Sequence, residues 1–100
     1  MDILKTLEKE FNIKSFQAEN TVKLIDEGNT IPFIARYRKE VTGSLDDQIL
    51  RELNDRLSYL RNMDETREKI KKSIEEQGAL TEELVEAIEN AKTLTELDDI

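Results

Sequence analysis

Four pairs of identical adjacent carboxylates and one short run of cations are the groups in this sequence whose types could do chemistry. The pairs are Asp46-Asp47, Glu75-Glu76, Glu82-Glu83 and Asp98-Asp99. Hydrolysis or cation binding needs carboxylates that face each other across a cleft. Neighbours on a helix point about 100° apart and diverge. The pairs therefore read as solvated faces and as negative charge at helix starts, where it complements the helix dipole. Histidine and cysteine are absent. With them go the commonest general base, the thiolate metal sites and any disulfide. No calcium loop, phosphate-binding loop or glycine-rich dinucleotide turn is present. The expectation is a non-enzymatic chain with no cofactor and no metal.

The cations are more informative. Net charge is −8 over 100 residues, the wrong sign for a free-standing nucleic-acid binder. Within 31–43, however, Arg36, Arg38 and Lys39 face only Glu40, a local net of +2. From 78 to 100, Lys92 alone faces seven acids, a net of −6. The small basic island admits two readings. Arg36, Arg38 and Lys39 could contact the phosphates of a nucleic acid or a partner, with Tyr37 as a stacking side chain. Alternatively, Arg36 and Arg38 pair with acids on neighbouring helices and hold a bundle together, and this is the more economical reading.

The elements that must position these groups are helical. Hydrophobic residues make up 37% and charged residues 38%, with three glycines, one proline and five aromatics; such a composition favours amphipathic helices. Ile3, Leu4, Leu7 and Phe11 place a first helix over about 2–11, stopped at Asn12. Ser15 is the expected cap of a second, with Phe16, Thr21, Val22, Leu24 and Ile25 inward and Gly28 at its end. Thr30-Ile31-Pro32 opens a third, running over 32–39 until Val41-Thr42-Gly43 breaks it. Ser44, spaced from Asp47 as in a capping box, is the expected cap of a long fourth helix over about 45–77. Its apolar stripe is Ile49, Leu50, Leu53, Leu57, Leu60, Met63, Ile70 and Ile74. Arg67 falls where the stripe should continue, and with Asp64 it interrupts a seam that could otherwise pair as a coiled coil. Beyond Gly78, Thr81 caps a helix with Leu84, Val85, Ile88 and Ala91 inside, and the hairpin brings Leu84, Val85 and Ile88 back against Ile70 and Ile74. Thr93 or Thr95 caps a last short one through Leu97.

The expected fold is thus all-α: an irregular bundle of five to six helices around one long central helix, forming one domain over 1–100. A rod of about 33 residues spans roughly 50 Å, more than the core of so short a chain covers. That excess, and a C-terminus that falls within a helical pattern at Asp98-Asp99-Ile100, point to a piece of a longer protein. No apolar run approaches the roughly 20 residues that span a bilayer, so the expected compartment is the cytoplasm and the expected state a monomer.

The run Thr30-Ile31-Pro32-Phe33-Ile34-Ala35-Arg36-Tyr37-Arg38-Lys39-Glu40-Val41-Thr42-Gly43 resembles the amino-terminal signature of the Tex family of bacterial transcription accessory proteins. Leu50-Arg51-Glu52-Leu53, Leu57-Ser58-Tyr59-Leu60, Ile74-Glu75-Glu76-Gln77-Gly78 and Thr93-Leu94-Thr95-Glu96-Leu97-Asp98-Asp99 extend the resemblance along the chain in order. The resemblance implies a cytoplasmic, nucleic-acid-binding scaffold of several hundred residues. After a helical amino-terminal region would follow a ribonuclease-H-like domain, helix-hairpin-helix elements and a carboxy-terminal OB-fold domain that carries most of the nucleic-acid binding. It implies for this chain a helical interaction module whose partners are the remaining domains of that protein.

Overall fold

The computed structural model describes residues 2–98, which hold seven helices and no strand. They are α1 (Ile3–Phe11), α2 (Ser15–Asp26), α3 (Ile31–Tyr37), α4 (Lys39–Thr42), α5 (Asp47–Glu76), α6 (Glu82–Asn90) and α7 (Leu94–Asp98). The all-α class and the long helix are as expected. The count rises because the third helix ends at Tyr37, and Arg38 (φ −127°, ψ 27°) separates it from a four-residue α4 that contains Val41 and Thr42. Val41 and Thr42, expected to break the chain with Gly43, are thus helical; Gly43 does end α4, at φ 72°, but an earlier break falls at Arg38. The expected carboxylate pair Asp98-Asp99 and Ile100 lie partly outside the described residues, which end at Asp98.

The helix ends follow local chemistry, with two corrections. Asp2 caps α1 by accepting from the Lys5 N–H at 3.2 Å, and Asn12 closes it in the left-handed region at φ 51°. Thr30, Thr81 and Thr93 accept from the N–H groups of Phe33, Leu84 and Glu96. Ser15, however, is the first residue of α2 rather than its cap. Its hydroxyl donates to the Glu8 carboxylate at 2.5 Å, while the Gln17 side chain accepts from the Lys14 N–H at 2.9 Å. Ser44 does not cap α5 either. It takes φ 68°, and Asp46 accepts from the Ile49 N–H at 2.8 Å instead. Asp46 carries a full charge to a helix start, where it gains from the dipole as well as from the hydrogen bond.

The chain forms two compact units, Asp2–Tyr59 and residues from Leu60 onward. In the first, Leu7, Ala18, Leu24, Ile34, Leu45, Leu50, Leu53 and Leu57 are buried. α2 packs on α1 and α4, and α3 on α4. Phe16, expected inside, is 45% exposed; Ala18 takes the buried position on α2. Helix α1 is also tied to α5 by a two-pronged ion pair, with Arg56 Nε and Nη2 donating to the Glu10 carboxylate at 2.7 and 2.9 Å. The hydrogen bond to Glu10 holds the Arg56 guanidinium above its ordinary pKa, against partial desolvation. An exposed pair of this kind contributes about 0–1 kcal/mol.

Gly43 is where this unit demands glycine. Its φ is +72°, and a Cβ built there would lie 2.6 Å from the Gln17 amide nitrogen. That amide donates to the carbonyls of Thr42 and Gly43 at 3.1 and 3.3 Å, tying α2 to the end of α4. Gly43→Ala is therefore expected to cost about 1–3 kcal/mol, from the left-handed backbone and the displaced Gln17 together. Gly28→Ala, with a similar φ but open space around its Cβ position, carries only the backbone penalty of about 1–2 kcal/mol. Thermal unfolding of the two variants side by side checks the difference.

In the second unit Leu60, Met63, Ile88, Ala91 and Leu97 are buried, and so is Arg67, at 4% exposure. Gly78 turns the chain at φ 70°, and the C-terminal end of α6 meets α5, where the Ile88 and Ala91 carbonyls face Arg67. Lys71 reaches Glu89 across the two helices. Arg67 is the centre of this unit. Its Nε donates to the Ile88 carbonyl at 3.0 Å, one terminal nitrogen to the Ala91 carbonyl, and the other to Asp64 at 3.0 Å. The Ile88 carbonyl would ordinarily serve the Lys92 N–H, but that N–H bonds the Glu96 carboxylate at 2.5 Å. Arg67 thus fills the end of α6 with donors and places a positive charge at the negative pole of its dipole. The residue that interrupts the apolar stripe in sequence is the one that locks the C-terminus of α6.

Candidate functional site

The basic island sits at the junction of α3 and α4 in the first unit. Helix α3 is fixed by Pro32 in its first turn, by the Thr30 cap and by the fully buried Ile34. These leave Arg36 and Tyr37 facing outward at its end. The break at Arg38 then starts α4, so Lys39 begins a new helix instead of continuing the old one. Asn20 donates to the Val41 carbonyl at 2.9 Å and, with Gln17, secures α4 on α2.

Arg36 and Lys39 are exposed, and among the described residues neither forms an ion pair. The expectation that Arg36 and Arg38 pair with acids on neighbouring helices is therefore not met. Arg38 is half-buried and turns inward. Its guanidinium carbon lies 4.9 Å from the centre of the Phe33 ring, and it donates to the Tyr37 carbonyl at 3.0 Å. Phe33 in turn lies 5.2 Å from the Tyr37 ring at a tilt of 48°. The Tyr37 side of this stack faces water, with the residue 59% exposed.

Two open concavities flank the island. One, of about 560 Å³, is lined by Arg36, Tyr37, Arg38, Lys39, Glu40 and Val41. The other, of about 350 Å³, is lined by Pro32, Ala35, Arg36, Lys39, Asp47 and Arg51. Arg36 and Lys39 belong to both. Arg51, in the first turns of α5, brings a fourth cation to the surface. It pairs with Asp47 at 2.8 Å while remaining 65% exposed. Sequence reading missed it because it stands fifteen residues from Arg36, on a different helix. Its signal was its position one turn beyond Asp47, which points it away from the buried Leu50 and Leu53.

The carboxylate pairs are dispersed. Asp46 caps α5, Asp47 holds Arg51, and Glu75, Glu76, Glu82 and Glu83 are exposed. Among the described residues no three acidic side chains gather in a way that could hold a metal ion. Nor, among the described residues, is any helix long and apolar enough to cross a membrane.

Residues 1–75 match the family model described as the Tex-like protein N-terminal domain. Over 91 residues the chain is 55% identical to Protein YhgF of Escherichia coli K12, a match covering 91% of this chain and 12% of that protein. It is 47% identical over all 100 residues to the transcriptional accessory protein Tex of Neisseria gonorrhoeae, covering 13% of it. To the S1 RNA-binding domain-containing protein 1 of Pongo abelii it is 37% identical over 99 residues, 10% of that protein. The chain therefore spans about an eighth of the length of the bacterial relatives it matches.

Proposed function

The chain belongs to the Tex-like protein N-terminal domain family, and from that premise we propose that it is a non-catalytic scaffold module of a longer, cytoplasmic, nucleic-acid-binding transcription accessory protein. Its partners in this reading are the remaining domains of that protein. Transcriptional and RNA-binding roles come from the names of its relatives and belong to the whole protein. The observation that carries the scaffold reading is α5. Thirty residues of continuous helix extend about 45 Å, yet the buried positions Leu50, Leu53, Leu57, Leu60, Met63 and Arg67 occupy a single stripe. Much of the rest of the helix is charged and exposed, which leaves surface for further domains, as expected of a strut.

The test adds the chain in trans to the rest of the longer protein, produced without it. Stoichiometric association by calorimetry is the expected result. At about 100 μM of each component, binding as weak as ~−5.5 kcal/mol is detectable; no heat and no co-migration at that concentration would refute the scaffold reading. A second reading, direct contact with nucleic acid at Arg36, Tyr37, Arg38 and Lys39, is favoured by one observation. Arg36 and Lys39 form no ion pair among the described residues and stand beside an exposed tyrosine.

A further inference from the structure

We infer that the two concavities at α3, α4 and the first turns of α5, which share Arg36 and Lys39, together take single-stranded nucleic acid, with Arg36, Lys39 and Arg51 on the phosphates and Tyr37 under one base. The inference rests on the second reading above and changes its membership: Arg51 enters and Arg38 leaves. Arg38 spends its guanidinium on the Phe33 ring and the Tyr37 carbonyl. It is a positioning residue that steadies the Phe33–Tyr37 stack from behind. The phosphate donors are the cations with free capacity. Arg36 and Lys39 line both concavities, and Arg51 lines the second. Arg51 is held by Asp47 through one terminal nitrogen, which orients the fork and leaves other N–H groups to donate.

The aromatic ring decides the ligand class. An acidic peptide would satisfy the three cations but would leave the Tyr37 face to water. A nucleotide strand supplies both a phosphate row and flat bases, and stacking on an exposed ring is sequence-tolerant. A duplex keeps its bases stacked on one another, so only a single strand can offer one to Tyr37. Glu40 and Asp47 on the rims and the net charge of −8 make the contact weak and strongly salt-dependent.

Fluorescence anisotropy tests this with labelled oligouridylate of about 12 nucleotides and a duplex of equal length, at about 50 mM salt. The single strand should bind the more tightly. Tyr37→Ala should lose at least about fivefold in affinity, while Tyr37→Phe keeps it, because the ring and not the hydroxyl stacks. Arg51→Gln should lower the slope of log K against log salt by about 0.7, one phosphate contact on a single strand; Arg38→Gln should leave that slope unchanged. Thermal melts confirm that each variant is folded.

If Arg36→Glu with Arg38→Glu abolishes binding but Tyr37→Ala and Arg51→Gln do not weaken it, the basic-patch reading stands and the inference is wrong. Absence of binding by the unaltered chain overturns both. Displacement of the strand by polyglutamate as effectively as by unlabelled oligonucleotide would assign the surface to an acidic polypeptide and overturn the inference.

Discussion

Arg67→Ala should destabilise the chain by about 3–5 kcal/mol, the range for removing one partner from a buried charged network. Three losses combine. The carbonyls of Ile88 and Ala91 are left buried without donors, at about 1–3 kcal/mol each. The C-terminus of α6 loses the cation that faces its dipole. The guanidinium leaves a hole between α5 and α6 that neighbouring side chains fill only in part. For a domain of this size the midpoint of thermal unfolding should fall by at least about 12 °C. Location matters as much as size. Hydrogen exchange should quicken over 82–98, in α6 and α7, while α1 to α4 keep their protection, because Arg67 touches only residues of its own unit. Arg67→Lys should fall between, since an ammonium cannot match the planar fork that serves two carbonyls and Asp64 at once. Asp64→Ala should cost no more than about 1 kcal/mol, because Asp64 is partly exposed and both carbonyl bonds survive. A variant Arg67→Ala with an unchanged transition would mean that α6 is held by its apolar face alone.

Arg67 also marks the limit of what periodicity can reveal. The stripe Leu50, Leu53, Leu57, Leu60, Met63 has helical spacing, and all five side chains are buried. That much follows from local geometry. An arginine next in the series reads as an interruption because its partners, Ile88 and Ala91, stand 21 and 24 residues away. Only the turn at Gly78 brings them within reach. Hydropathy records whether a position is apolar, and a buried arginine whose three nitrogens all donate is invisible to it. The helix ends show the same division. Asn12, Thr30 and Thr81 act on residues within one turn, and their roles were legible; Thr93 and Thr95 were rival caps in sequence, and Thr93 takes the place. Ser15 and Ser44 have the right chemistry for capping, but nearby groups compete better: Glu8 captures the Ser15 hydroxyl, and Asp46 serves the Ile49 N–H.

The contact surface divides likewise. The cluster of Arg36, Tyr37, Arg38 and Lys39 is contiguous in sequence and could be read there. Its internal roles could not. A single helix over 32–39 would have set Arg36 and Lys39 one turn apart on a continuous rod. The break at Arg38 has no glycine or proline to announce it. It accompanies the docking of α4 on α2, where Gln17 and Asn20 seize the carbonyls of Val41, Thr42 and Gly43 and Thr42 is fully buried. Tertiary contacts thus turn one charged run into an inward arginine and two outward cations.

Leu57→Asp should abolish folding of the first unit. Leu57 is 2% exposed in the core that also holds Leu7, Leu24, Ile34, Leu50 and Leu53. Truncating a buried leucine costs about 2–5 kcal/mol. Placing a carboxyl group there adds about 2–7 kcal/mol even if it takes up a proton, and more if it stays ionised. A chain of this length has about 5–15 kcal/mol of stability to lose, so the two terms together consume it. Far-UV circular dichroism should show helix content well below that of the unaltered chain and no cooperative transition for 3–59. Two neighbouring substitutions separate burial from mere charge or change. Leu57→Met, which conserves volume, should cost less than about 1.5 kcal/mol. Ser58→Asp, one residue on at an exposed position of the same helix, should stay within about 0.5 kcal/mol. If Leu57→Asp and Ser58→Asp melt alike, the stripe on α5 is not the seam around which the first unit is built, and the strut reading of α5 loses its footing.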